Sequence, residues 1–235
     1  MICDKRNDPI GTFNAFNGHC LAFKQLDKQI NWKLTRKKKL WKCIVEAKIQ
    51  SEIDALKHLD KAGEAVKTLV AYKESVCTDD QTNREGVAAR VYFQALFGKD
   101  FSRDDDSVTN YALNYGYKII ASYISKCIVS RGLLTQLGIH HIGEGNPFNL
   151  TYDFIEPLRV IVDIWVATHI RDTFNTADKT ELIDLLNVKV RVDGKWVRLS
   201  DGIGDIVDAY IRYMNEERNT IKTVNISKGF KQDDI

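Results

Sequence analysis

The stretch Leu137 to Glu156 reads L-G-I-H-H-I-G-E-G-N-P-F-N-L-T-Y-D-F-I-E, with two adjacent histidines, a Gly-Asn-Pro turn region and the start of a helix bearing Asp153 and Glu156. Their three-residue spacing sets both carboxylates on one helical face. The loop ahead of that helix is long enough to fold His140 or His141 back over its first turn. A ring nitrogen and carboxylate oxygens converging there suit a hard divalent cation, magnesium or manganese. Glu85 adds a third element. Ala88, Ala89, Tyr92, Phe93 and Leu96 follow it at i+3, i+4, i+7, i+8 and i+11, so Glu85 lies on the inward stripe of its helix. An inward carboxylate needs a partner, because an unpaired buried charge is very costly. A cation would serve, and so would a capping box, Thr82-x-x-Glu85, in which both side chains satisfy free N–H groups at the helix start. Spacing alone leaves both open.

The elements that must position these residues are mainly α-helical. The chain opens on a strand fragment at Ile2-Cys3-Asp4 that runs into a turn. Leu21, Phe23, Leu26 and Ile30 suit a short helix from Cys20 to Ile30. A longer one starts after Thr35, read as its N-cap, with Trp41, Ile44, Val45, Ile49, Ile53 and Leu56 inside. Gly63 breaks that pattern, Ala65 to Val76 forms the next helix, and a polar connection leads to the Glu85 helix, which Gly98 stops. Asp104, Asp105 and Asp106 read as charges favoured by the dipole at a helix N-terminus, with that helix running to Arg131 before Gly132. Asn110, Asn114 and Tyr115 within it could reach DNA or brace the site, and read foremost as structural polar groups. From Asn149 to Ile170 the residues are apolar nearly all round, which predicts a central helix, and Pro157 predicts a kink in it. A short helix through Leu182, Leu185 and Leu186 follows. Val188 to Val192 and Trp196 to Leu199 alternate about Asp193-Gly194, a β-hairpin pattern, and Ser200 reads as the cap of a last amphipathic helix. Lys228 to Ile235 reads as a loose end. The fold expected is a multi-helix lobe with one small C-terminal β-hairpin and a remnant strand at the N-terminus.

With 235 residues and 44% hydrophobic content the chain can bury a sizeable core. No apolar run approaches a membrane span and the first residues lack the apolar segment of a signal peptide, so a cytoplasmic protein is expected. Five cysteines without a C-x-x-C pair argue for reduced thiols and against a zinc knuckle. A net charge of +2 excludes a uniformly basic nucleic-acid binder. Lys33 to Lys48, however, carries seven basic residues against the single acid Glu46. Such a run reads either as a phosphate-binding patch or as a solvated helix face.

Several motifs in order carry a resemblance. N-R-E-G-x-x-A-R-x-Y-F-x-x-L-F-G, F-S-R, L-N-Y-G-Y, L-G-I-H-H and F-N-L-x-x-D-x-x-E-P resemble the catalytic lobe of the CRISPR adaptation integrase, the metal-dependent DNA endonuclease that inserts spacers into CRISPR arrays, and most closely its type II branch. The resemblance implies that residues 1–12 are the remnant of a β-rich N-terminal domain and hinge, 13–220 the helical catalytic domain and 221–235 a tail. It implies a catalytic, metal-binding set of Glu85, His141 and Glu156 with Mg2+ or Mn2+, and Asp153 close to the cation or supporting it. His141 matches the family's histidine better than His140, which is left to pack or touch DNA. The implied reaction is attack by a donor-DNA 3′-hydroxyl on a phosphodiester of the repeat, or by water for plain cleavage. Lys37, Lys38, Lys39, Lys42, Arg90, Arg103 and Arg159 become candidates for DNA phosphates, with Arg90 and Arg159 equally able to pair Glu85 and Glu156. Double-stranded DNA, a second copy of the chain as homodimer and the small second subunit of the integrase are the implied partners. Since the N-terminal domain normally serves those assemblies, weak or absent activity of this chain alone is expected. The competing reading is a non-catalytic helical DNA-binding module.

Overall fold

The computed structural model describes residues 2, 3, 5, 9–11, 21–170, 172–192 and 195–221. At the N-terminus β1 (Ile2–Cys3) pairs antiparallel with β2 (Pro9–Gly11), so the predicted strand fragment has a partner strand. Helix α1 (Leu21–Ile30) leads into α2 (Leu34–His58), which rises about 37 Å and packs against α3 (Glu64–Glu74), α4 (Arg84–Phe97) and several later elements. No glycine or proline interrupts its 25 residues, and its predicted inner stripe, Trp41 through Leu56, is buried throughout. The expected cap at Thr35 does not form. Lys33 is the N-cap and offers no side-chain hydrogen bond.

Helix α5 (Val108–Val129) begins at Ser107, whose hydroxyl accepts from the Asn110 N–H. The three aspartates therefore lie ahead of the helix and not in its first turn. There Asp105 accepts from the Ser102 N–H and Asp106 from the Tyr111 hydroxyl, so local hydrogen bonds outcompete the dipole. The predicted kink at Pro157 is present. Helix α6 (Asn149–Ile155) passes through a 3-10 turn at Glu156–Leu158 into α7 (Arg159–His169). Proline removes one N–H and clashes with the carbonyl four residues back, so the axis must break at that point.

Helix α8 (Thr176–Asp184) is held by a capping box between Asn175 and Asp178. It leads through a 3-10 turn to β3 (Lys189–Val192) and β4 (Lys195–Arg198), the predicted antiparallel hairpin, with Val192 paired to Lys195. Its expected turn, Asp193-Gly194, lies outside the described residues, as does the predicted tail beyond Ile221. The last helix, α9 (Leu199–Met214), is capped by Arg198 without a side-chain bond, and not by Ser200. Gly116 of α5 faces Val162 of α7 and Leu182 of α8 so closely that a Cβ there would stand 2.5 Å from a Val162 methyl. One continuous core joins helices α2 to α9, and no described helix is long and apolar enough to cross a membrane.

Candidate metal and nucleic-acid site

Glu85 is freed for chemistry by its neighbours. The α4 start is capped by Asn83, in the left-handed region at φ 50, whose side chain accepts from the Gly86 N–H. Asp80 accepts the N–H groups of Arg84 at 2.8 Å and Glu85 at 2.9 Å. The Thr82-x-x-Glu85 capping box that the spacing allowed is therefore not formed, because Asp80 takes the Glu85 N–H that Thr82 would have served. Glu85 turns instead toward α2, where its Oε1 accepts from Lys48 Nζ.

Lys48 joins the two carboxylates of the site. Its ammonium also donates to Glu156 Oε2 at 2.6 Å, while the other Glu156 oxygen accepts from Arg159 Nε at 3.1 Å and from an Arg159 terminal nitrogen at 3.0 Å. Burial works against the charge on Lys48, but Glu156, Glu85 and Glu52 outweigh it and hold the ammonium more tightly protonated than an ordinary lysine. Burial likewise opposes ionisation of Glu156, and Arg159 and Lys48 together hold its carboxyl well below the usual range. Reading Lys48 as one more charge of a basic run missed this role. The signal that would have found it was its place on the same stripe as Trp41, Ile44 and Val45.

The histidine loop is organised by Asp153, which is fully buried. Asp153 Oδ2 accepts from the Ile139 and His140 N–H groups, at 2.6 and 3.3 Å, and Oδ1 from the His141 N–H at 3.0 Å. His141 Nδ1 lies 2.8 Å from the same Oδ1 and, facing a carboxylate, carries the proton. The bond to Asp153 comes first among the causes that raise the His141 pKa, and Glu156 and Glu85 add to it from nearby. Asp153 and Glu156, expected on one helical face, thus do different work, Asp153 from α6 and Glu156 from the 3-10 turn that follows it. His140 packs, stacked on Trp41 with ring centres 4.1 Å apart and planes within 5°, and His141 meets the same indole edge-on. Gly138 lets the loop close: a Cβ there would overlap the His141 carbonyl and stand 2.9 Å from Asp153 Oδ2.

A second buried layer lies beneath. Glu52, one turn after Lys48 on α2, is 2% exposed and its Oε2 has no hydrogen-bond partner. Burial pushes its carboxyl up to about 8. Asp163 of α7 accepts from the Tyr117 hydroxyl, and burial raises it to about 6. Arg159 and Arg103 both lie over the Tyr117 ring, at 4.7 and 5.5 Å, so the layer is tied to the first through cations on an aromatic face.

The candidate phosphate-binding residues are spread over several surfaces. Lys37 donates to the Gly138 carbonyl at 3.2 Å and so anchors the histidine loop. Lys38 pairs with Asp79 at 3.0 Å, and Lys42 with Glu46 at 3.1 Å and the Val76 carbonyl. Lys39 and Arg90 are exposed. Arg103 is braced by Asn110 and Asn114, the structural role expected of those amides. Arg159 takes the alternative foreseen for it, pairing with Glu156.

Among the described residues, no three His, Cys, Asp or Glu side chains are grouped to hold a metal as they stand. Between Glu85 and Glu156 the Lys48 ammonium fills the cationic position. The donor chemistry nevertheless fits a hard divalent cation, with two carboxylates already sharing one positive group and an imidazole whose committed Nδ1 leaves Nε2 as the lone-pair nitrogen.

Comparison with known proteins gives a concordant result. The family model described as CRISPR associated protein Cas1 matches residues 1–184. The protein named CRISPR-associated endonuclease Cas1 from Neisseria meningitidis serogroup C is 32% identical over 217 residues, which cover 89% of this chain and 70% of that protein. One from Francisella tularensis subsp. novicida is 27% identical over 150 residues, covering 56% of this chain and 47% of the relative. Among solved structures, a casposase bound to integration product superposes with a TM-score of 0.71 at 22% identity, over 97% of this chain and 78% of that one. A CAS1 protein from Thermotoga maritima gives 0.66 at 17% identity, over 87% and 74%. At such identities the structural likenesses speak for the fold alone. The sequence matches carry the assignment, and on them the chain belongs to the Cas1 family of CRISPR-associated proteins.

Proposed function

We propose that this chain is the catalytic lobe of a metal-dependent DNA endonuclease and integrase of CRISPR adaptation, inserting short DNA spacers into a repeat array. The observation that carries the reading is that Glu85 and Glu156, from elements far apart in sequence, face one ammonium group beside a histidine oriented by a buried aspartate. Glu85, Glu156 and His141 Nε2 would hold Mg2+ or Mn2+, with Asp153 supporting His141 from behind. When bound, the cation supplies Lewis-acid stabilisation of charge on the phosphoryl and departing oxygens. The chain's own residues orient and neutralise. Arg159 keeps Glu156 ionised, and Lys37 steadies the loop on which His141 rides.

In integration the donor 3′-hydroxyl forms a new bond to phosphorus and loses its proton. The bond from phosphorus to the 3′-oxygen of the repeat breaks, and that oxygen gains a proton. Water in place of the hydroxyl gives hydrolysis. No covalent enzyme intermediate is needed, consistent with the absence of a G-x-S-x-G or Walker sequence. Exposed Lys39 and Arg90 are the candidates best placed to meet phosphates. Double-stranded DNA, a second copy of the chain and a small Cas2-type subunit are the proposed partners. A structural neighbour at 18% identity, a Cas6-RT-Cas1--Cas2 complex, joins a Cas1 to a Cas2.

The test is manganese-dependent cleavage or strand transfer on branched duplex DNA, with the small subunit present and absent. Glu85→Gln and His141→Ala are expected to abolish turnover while leaving the fold intact. The competing non-catalytic DNA-binding reading draws on the ammonium that already closes the carboxylate pair. It would be favoured if DNA binding survived both substitutions and neither wild type nor assembly ever cut.

A further inference from the structure

Lys48 is 6% exposed, and its ammonium stands between two carboxylates that belong to different elements. Such a group stabilises the pair in the absence of another cation, since facing carboxylates with nothing between them repel. It also obstructs any divalent ion that needs the same oxygens. A displaced ammonium left without a partner would be an uncompensated buried charge. One turn along the same face of α2, however, lies Glu52, whose buried Oε2 lacks a hydrogen-bond partner. Residues four apart on a helix are neighbours, and the flexible four-carbon lysine stem spans that distance.

We propose that Lys48 is a mobile counter-ion of the site, bridging Glu85 and Glu156 in the metal-free protein and moving to Glu52 when a divalent cation takes those two carboxylates. This rests on the reading of Glu85, His141 and Glu156 as ligands. Lys48 remains charged throughout and acts by changing partner, while Glu52, neutral as long as its oxygen is unpaired, gives up its proton to solvent as the ammonium arrives. It thereby sets how readily the site loads, keeping the empty lobe folded at the cost of affinity. Glu52 acts in the opposite sense, as the receiver that makes displacement tolerable.

The two roles predict opposite signs, which a merely structural lysine would not produce. Mn2+ binding is titrated by electron paramagnetic resonance on wild type, Lys48→Met, Lys48→Arg and Glu52→Gln at one pH, with melting recorded in EDTA and in excess Mn2+. Lys48→Met is expected to melt lower in EDTA, to bind Mn2+ at least about tenfold more tightly and to show a larger Mn2+-induced rise in melting temperature. Lys48→Arg should restore the EDTA melting temperature without the gain in affinity. Glu52→Gln should weaken Mn2+ binding severalfold. Wild-type binding that Lys48→Met leaves equal or weakens would overturn the proposal, and so would Glu52→Gln binding as tightly as wild type. The second comparison stands even if Lys48→Met does not fold. No Mn2+ binding by any of the four proteins would sink the metal reading itself, and this inference with it.

Discussion

Replacing Asp153 by Asn separates orientation of His141 from ligation by Asp153. In the native protein four N–H donors converge on this carboxylate: the backbone groups of Ile139, His140 and His141, and His141 Nδ1. Asn keeps one oxygen, which can continue to serve Ile139 and His140, but turns an NH2 group toward the His141 backbone and ring. Only the Ile139 bond is fully buried, so the stability cost is about 1–3 kcal/mol, against about 3–5 kcal/mol for Asp153→Ala, which abandons every donor. The effect on the ring is more specific. Facing an amide N–H, Nδ1 gains by becoming the acceptor, and the proton moves to Nε2, the nitrogen proposed to hold the cation. Mn2+ affinity should fall about 10- to 100-fold, the usual consequence of losing a partner behind a metal-bound histidine. Urea unfolding measures the first quantity, a Mn2+ titration the second, and 15N imidazole shifts the tautomer. The reasoning is refuted if Nδ1 of the wild-type ring proves unprotonated, or if Asp153→Asn leaves Mn2+ affinity within about twofold while the ring retains its tautomer.

Glu52→Gln should flatten the pH dependence of stability. The folded carboxyl sits at about 8 against an ordinary 4.5. Below the lower value folded and unfolded chains both hold the proton; between the two only the folded chain does, so its contribution to stability drains away as pH rises and is gone above the upper value. Gln is neutral throughout, and its stability relative to wild type should therefore climb by up to about 3 kcal/mol between ~pH 5 and ~pH 7.5 in urea titrations. A difference independent of pH would show that Glu52 is ionised in the folded protein. Gly138→Ala should cost about 1–3 kcal/mol by forcing the loop off the His141 carbonyl, and should weaken Mn2+ binding in parallel. Gly116→Ala should cost a similar ~1–3 kcal/mol through Val162 yet leave Mn2+ affinity unchanged, because α5 packs there away from the histidine loop. Equal loss of affinity in both glycine variants would argue against a specific role for the loop.

Patterns that repeat along the chain were readable from sequence. The inner stripe of α2, the Pro157 break and the alternation of the β3–β4 hairpin are each set by neighbours three or four residues away, or two for the strands, and the structure bears them out. Helix starts were less legible. Asp80 displaced Thr82 at the head of α4, and local bonds held Asp104 to Asp106 outside α5, because competing donors and acceptors within a few residues decide a cap. The ion network was least legible. That Glu85 and Glu156 meet at Lys48 depends on the packing of α2 against α4 and against the turn at Glu156–Leu158, and no local spacing encodes that contact. The partners of the lysine run were hidden for the same reason: Lys37 bonds the histidine loop, Lys38 pairs with Asp79 and Lys42 with Glu46.

Crystals soaked in Mn2+ and measured at its absorption edge test the central claim most directly. The account predicts one anomalous peak flanked by the carboxylates of Glu85 and Glu156 and by Nε2 of His141, with Asp153 still bonded to Nδ1 behind it. A peak on other residues, or density in which Lys48 still bridges both carboxylates at saturating Mn2+, would contradict it.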